Sequence, residues 1–204
     1  MNEKTSNNKF SKYIVIVLII TIIAAVGVYA YAHFVKEEPT KSDNNTFPII
    51  TPEKTLLTIT VGSQSNNYTL DNLTALGIIT EQGSYINKLG RKVTGPNTYT
   101  GMTVSTLLSS ISSLPTNYTL HAIASDKYAR NYTLNEVNGH VIIYNKTGGE
   151  IGTGNLAMII AYKENGVFLN ETTKGPLRIA FVDTQPSITN SGLWSGSLIK
   201  IELN

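Results

Sequence analysis

The chain contains no cysteine. This absence excludes disulfide bonds, thiolate nucleophiles and cysteine-ligated zinc or iron–sulfur centres. Charged residues are also scarce, at 15% of 204 residues, and the formal net charge is only +2. Because no stretch of residues 54–204 concentrates lysine and arginine, we expect no nucleic-acid partner.

The longest apolar run lies at residues 13–35 and reads YIVIVLIITIIAAVGVYAYAHFV. About 20 apolar residues suffice to cross a bilayer as a helix, so the run predicts a transmembrane signal anchor. Lys4, Lys9 and Lys12 precede it. The positive-inside bias therefore predicts that residues 1–12 are cytoplasmic and that the C-terminal part is extracytoplasmic, on a single-pass protein of the cell membrane.

The same N-terminal run has a second interpretation, as a signal peptide. Ala30-Tyr31-Ala32 has the form of a cleavage site, and cleavage would follow Ala32. The apolar run is longer than the 7–15 residues usual for a signal peptide, which favours the retained anchor. Both interpretations place the C-terminal domain on the extracytoplasmic side.

Residues 36–53 are polar and proline-bearing and are predicted to be a linker, which leaves 54–204 as one domain. Alternating β-branched and apolar residues predict a strand at 55–61, and strand-like segments at 177–182 and 198–203 belong to a total of seven to nine short strands. The spacing of Val104, Leu107, Leu108 and Ile111 predicts a helix. The expected fold class is α+β, a mostly antiparallel β domain with short helices packed on one side.

Two glycine-bearing stretches and one short segment complete the secondary-structure prediction. Residues 88–100 are rich in glycine and proline and are interpreted as a loop with a strand end. Residues 148–154 are interpreted as a flexible hairpin connection, since they lack the lysine of a phosphate-binding loop. Asp71 is predicted to cap a short helix, and Asn131 to Leu134 are predicted to be a strand.

A series of short motifs, in order along the second half of the chain, resembles one known family. The segments are Tyr99 to Leu108 (YTGMTVSTLL), Ala124 to Tyr128 (ASDKY), Leu134 to Val137 (LNEV), Ile159 to Leu169 (IIAYKENGVFL), Lys174 to Ile179 (KGPLRI) and Ile199 to Glu202 (IKIE). Their order is similar to that of oxidoreductase molybdopterin-binding domains, the sulfite oxidase fold. Lys127 stands where the family pattern has glycine.

The resemblance implies a molybdopterin cofactor whose metal is held by a cysteine thiolate ahead of the 104–111 helix. The corresponding stretch here offers only Glu81, Gln82 and Ser84, and a hard oxygen donor suits the metal poorly. The family also holds a pterin phosphate by basic groups. The candidate cofactor-binding residues that this implies are Arg91, Lys92, His121, Arg130, Lys174 and Arg178.

Three functions stay open from the sequence. The first is a non-catalytic domain on a sulfite oxidase-type scaffold that binds a small molecule or a protein. The second is a molybdopterin-dependent oxidoreductase with a non-cysteine metal ligand, and the third is a structural cell-envelope protein. The missing cysteine favours the first and third, so we expect no catalytic residues and no metal site.

Seven asparagines occur in N-x-T sequons, more than this composition gives by chance, although asparagine and threonine also cluster together here. They predict a glycoprotein whose glycans face outward. The sequon asparagines are Asn44, Asn67, Asn72, Asn117, Asn131, Asn145 and Asn170.

Overall fold

A computed structural model describes residues 53–87, 89, 92–112 and 114–204. The predicted anchor at 13–35 and the linker up to residue 52 lie outside these residues. None of the helices in the described part of the chain has the length and apolar character needed to cross a bilayer. The domain predicted at 54–204 falls within one compact unit, residues 52–204.

Two β-sheets dominate the domain. The five-stranded sheet contains both the first and the last strand of the domain, lying side by side in parallel. In spatial order its strands are β2 (Gln64–Tyr68), β1 (Leu57–Val61), β13 (Leu198–Leu203), β5 (Leu120–Ala124) and β6 (Ala129–Tyr132).

The second sheet has eight strands. In spatial order it contains β10 (Val167–Phe168), β9 (Ala157–Glu164), β4 (Lys92–Thr103), β3 (Ile79–Asn87), β12 (Ile188–Asn190), β7 (His140–Tyr144) and β8 (Glu150–Asn155), with β11 (Arg178–Val182) also paired to β9. Between the described strands only β1–β13 and β3–β12 are parallel. The expectation of a mostly antiparallel β domain is confirmed.

Three short α-helices connect the strands: α1 (Leu70–Ala75), α2 (Val104–Ser109) and α3 (Leu134–Val137). Each begins after a threonine whose hydroxyl accepts a hydrogen bond from a backbone N–H of the first turn, the usual way to satisfy a helix N-terminus. The helix predicted from the apolar spacing at 104–111 is confirmed over 104–109. Thr69, not Asp71, caps α1, and the strand predicted at 131–134 ends at Tyr132 because Thr133 starts α3.

Two loop predictions are wrong. Residues 92–103 form β4, the longest described strand, and its register with β3 shifts between Gly83 and Tyr85. That bulge leaves Gly95 and Pro96 outside the regular pairing, so the proline, which lacks an amide donor, is tolerated. Residues 150–155 form β8, where a register shift likewise passes over Ile151.

One hydrophobic core joins the two sheets. The five-stranded sheet contributes Leu57, Ile59 and Ile201, and the eight-stranded sheet contributes side chains such as Ile160 and Phe181, all of them fully buried. Every residue of β11 is buried. The segments that precede β11 and β13 are therefore anchored at one end to this core, and they build the site described next.

Candidate ligand-binding site

Three segments that are far apart in sequence meet at one cavity of about 300 Å³. One segment follows β5, the second precedes β11, and the third precedes β13. We call this space the Lys174 cavity, and its lining residues are Asp126, Tyr128, Lys174, Trp194, Gly196 and Ser197.

Backbone hydrogen bonds tie the three segments together. The Ser125 amide donates to the Ser197 carbonyl at 2.9 Å, and the Ser197 amide donates to the Lys174 carbonyl at 2.6 Å. Gly196 has to be glycine, because a Cβ there would lie 2.5 Å from the Cβ of Lys174. The cavity is thus lined by backbone that is held in place, the condition for preorganised binding.

Unusual backbone conformations concentrate around this cavity. Lys127, Lys174 and Ser197 have φ angles of +70°, +63° and +51°, a region that L-residues other than glycine, asparagine and aspartate seldom adopt. The one other such residue in the described part of the chain is Asn165, in the β9–β10 hairpin turn. Strained residues persist where the surrounding structure over-determines them, often at ligand-binding sites.

Trp194 forms a fixed aromatic wall of the cavity. Its ring centroid lies 4.9 Å from that of Tyr85 and 5.1 Å from that of Tyr99. Its indole N–H donates to the Thr189 hydroxyl at 2.8 Å, and this hydroxyl in turn donates to the Ser84 carbonyl at 3.3 Å. The two tilted ring contacts and the hydrogen bond together hold this ring in one orientation.

Arg178 lies behind the same ring. Its guanidinium carbon is 5.2 Å from the Trp194 centroid and between 5.6 and 5.7 Å from those of Tyr85 and Tyr99. Its Nη1 lies 3.3 Å from Oε2 of Glu164, so Glu164 is its ion-pair partner. At 5% exposure Arg178 supports the wall and is closed off from a ligand's phosphate.

The Glu164 carboxylate is fixed by further donors. Its Oε1 accepts from Asn97 Nδ2 at 2.6 Å and from the Tyr99 hydroxyl at 2.9 Å. Burial raises the pKa of the Tyr99 phenol well above its ordinary value, and the nearby Arg178 charge opposes that change. The phenol therefore stays protonated and keeps donating to Glu164 throughout the physiological pH range.

The cavity offers both signs of charge. Lys174 has no ion-pair partner within the described residues. One carboxylate oxygen of Asp126 accepts from the Tyr128 amide at 2.9 Å, which leaves the other oxygen available. A polar molecule with an acceptor for the ammonium group and a donor for the carboxylate matches this arrangement.

The candidate phosphate-binding residues do not come together. Lys174 lines the cavity and Arg178 lies behind its wall, but Arg130 lines a different cavity. His121 bonds to Asn131 on the face of the five-stranded sheet that points away from the core, and Lys92 is exposed at the start of β4. Arg91 lies outside the described residues.

The residues present do not fit a molybdopterin. The strand where the resemblance places the metal ligand is closely packed: Ser84 is 2% exposed, and a Cβ on Gly83 would lie 2.8 Å from the Trp194 ring. The chain has no thiolate to offer, and the described basic residues form no phosphate cluster.

Sequence reasoning missed Trp194, Ser197, Asp126 and Tyr128 as site residues. Two signals were present: Trp194 is the only tryptophan of the chain, and Asp126 and Tyr128 belong to a segment that carries the family resemblance. Neither signal says that these residues face Lys174, because that depends on how β5, β11 and β13 are placed.

No protein-family model and no curated protein matches the chain. One solved structure to which it is similar is that of the sulfane dehydrogenase SoxCD from Paracoccus pantotrophus, at 15% identity and a TM-score of 0.49. The alignment covers 72% of this chain and 37% of that one. This chain thus spans little more than a third of that protein's length.

Proposed function

We propose that this chain is a membrane-anchored, extracytoplasmic domain that binds a small polar molecule in the Lys174 cavity and is not an enzyme. The scaffold we propose is of the sulfite oxidase type, supported by the order of the family-like motifs and by the sheet-dominated architecture. Two of those motifs, at 124–128 and 174–179, border the cavity.

One observation supports the binding role. The segments that follow β5 and precede β11 and β13 meet at the Lys174 cavity, which offers an unpaired ammonium group, a carboxylate and a fixed indole ring. Pockets of about 300 Å³ or more with a few convergent polar groups and an aromatic wall are typical small-molecule sites. The ligand class we infer is a compact polar molecule that carries both hydrogen-bond acceptors and donors and a flat face for Trp194.

The side chains available as metal ligands argue against redox catalysis. A thiolate is a soft, charged ligand that holds the metal and tunes its potential, and the chain has none. A neutral Ser84 hydroxyl does not replace that charge. Arg178 forms an ion pair with Glu164. Its guanidinium group therefore supports the Trp194 ring and does not bind an anionic cofactor.

We expect the full-length chain, purified in detergent from a host that makes molybdopterin, to carry a small organic molecule at up to one per chain and no molybdenum or tungsten. Native mass spectrometry and elemental analysis measure both. Lys174→Ala is expected to lose the bound molecule, because its ammonium group is the one unpaired cation that lines the cavity within the described residues.

Lys92→Ala is the matched control, since it removes the same charge from an exposed position outside the cavity and is expected to keep the bound molecule. The binding proposal fails if wild type carries no adduct or if Lys174→Ala keeps it. Near-stoichiometric metal with turnover of sulfite or a sulfoxide would instead establish the oxidoreductase alternative.

We also expect protease added to intact cells to remove residues 54–204 and to spare residues 1–12, because the anchor directs the domain outward. All six described sequon asparagines are exposed, as glycan attachment requires, while Asn44 lies outside the described residues. An intact mass above that of the polypeptide in the native host checks the same topology. Protection of the domain from protease, together with the bare polypeptide mass, would contradict it.

A further inference from the structure

A second cavity, of about 390 Å³, shares no lining residue with the Lys174 cavity. We call it the Arg130 cavity. It lies where β6 and α3 meet β7 and the 3₁₀ helix Ser191–Leu193. Its walls combine a guanidinium group and a side-chain amide with the apolar residues Val141, Ile142 and Leu193.

Arg130 is held rigidly at this cavity. Its Nη2 lies 3.0 Å from Oε1 of Glu136, and its guanidinium carbon lies 5.0 Å from the Tyr132 ring centroid. The other carboxylate oxygen of Glu136 accepts from the Thr133 amide at 2.8 Å and from its hydroxyl at 3.2 Å. Both Glu136 oxygens are therefore occupied, so this carboxylate orients Arg130 and has little capacity left to bind a ligand.

Two donors at the cavity are left for a ligand. Nη1 of Arg130 makes no hydrogen bond to the described residues and lies 3.9 Å from where a Cβ on Gly192 would be. Asn190 uses its carbonyl oxygen to accept from the Gly192 amide at 2.8 Å, which leaves its NH₂ group as a donor. The Tyr132 hydroxyl donates to the Leu193 carbonyl at 2.9 Å and so fixes the 3₁₀ helix against β6.

We propose that the Arg130 cavity is a second binding site, for a small organic monocarboxylate with a compact apolar body. Its carboxylate accepts from Arg130 Nη1 and from the Asn190 amide, and its body packs on Val141, Ile142 and Leu193. Because Glu136 already neutralises most of the Arg130 charge, a singly charged carboxylate matches the cavity better than a phosphate, which carries nearly two charges.

The probe that tests this site is 4-fluorobenzoate, with binding to the full-length chain in detergent followed by ¹⁹F NMR. Saturable binding to wild type is expected. Arg130→Gln is expected to weaken it by roughly tenfold or more, the effect of losing one charge-assisted hydrogen bond. Gly192→Val is expected to abolish it, because the added side chain grows into the cavity beside Nη1 from a position with ordinary backbone angles.

Two comparisons make the result specific. The neutral 4-fluorobenzamide, which has the same shape, is expected to bind roughly tenfold more weakly than the carboxylate. Lys92→Ala, which removes an exposed lysine outside both cavities, is expected to bind 4-fluorobenzoate as wild type does. No saturation by 4-fluorobenzoate, equal binding of the amide, or unchanged binding to both Arg130→Gln and Gly192→Val overturns the proposal. Because Arg130 and Gly192 line this cavity and not the Lys174 cavity, this outcome is independent of the function proposed above.

Discussion

Replacing Arg178 by methionine is expected to lower the free energy of unfolding by about 1–3 kcal/mol. The Arg178 side chain is buried, whereas that of Glu164 is 24% exposed. The carboxylate left behind keeps its hydrogen bonds from Asn97 and Tyr99 and loses the charged partner of Oε2. The substitution also removes a cation that lies within 6 Å of the ring centroids of Tyr85, Tyr99 and Trp194. Urea-induced unfolding followed by Trp194 fluorescence measures the loss.

Lys200→Met is the matched control for this substitution. Lys200 also forms an ion pair, with Glu202, but its side chain is 38% exposed. Exposed pairs contribute little to stability, so only a small loss is expected there. If Arg178→Met costs no more than Lys200→Met, the Arg178–Glu164 pair does not stabilise the fold.

The double variant Arg178→Met with Glu164→Gln separates the two causes of the loss. Glutamine keeps an oxygen to accept from Asn97 and Tyr99 and removes the unpaired charge. We expect the double variant to be more stable than Arg178→Met alone, because a partly buried carboxylate without its ion-pair partner costs more than a neutral amide at the same place. Equal stability of the two would assign the loss to packing against the aromatic rings.

The second large effect is a loss of stability at alkaline pH. Burial raises the pKa of the Tyr99 and Tyr132 phenols in the folded state, and both side chains are fully buried. An unfolded chain releases these protons near pH 10, whereas the folded chain keeps them. The folded state therefore binds more protons above that pH, and stability falls as pH rises.

The contribution of these phenols to the free energy of unfolding is fully present below about pH 10. Above that pH it declines by about 1.4 kcal/mol per pH unit for each tyrosine. The measurement is the urea-unfolding free energy between pH 8 and 11.5. Tyr99→Phe and Tyr132→Phe are each expected to remove about half of the decline that the two cause together. Between pH 8 and 9 both variants are expected to show the same slope as wild type, because the unfolded phenols are still protonated there. A slope unaffected by the two buried substitutions would contradict the assignment.

The sequence by itself determined those strands and helices that follow from the pattern of apolar residues within a short segment. Strand-like apolar segments predicted β1, β11 and β13, and the spacing of Val104, Leu107 and Leu108 predicted α2. In β1 and α2 the periodic pattern reports the buried face, whereas β11 is buried throughout. The same pattern was uninformative for β4 and β8. Their glycines and the proline indicate turns locally, but bulges opposite β3 and β7 accommodate these residues within a sheet.

Only the tertiary structure decided which side chains share a site. Sequence reasoning grouped six basic residues by charge and by resemblance, yet Lys174 faces Asp126 and Trp194 while Arg130 lies at a separate cavity. Arg178, a candidate ligand contact, is instead buried against Glu164. The physical reason is that strand pairing and sheet packing bring together residues tens of positions apart, and periodicity along one strand carries no information about its neighbours.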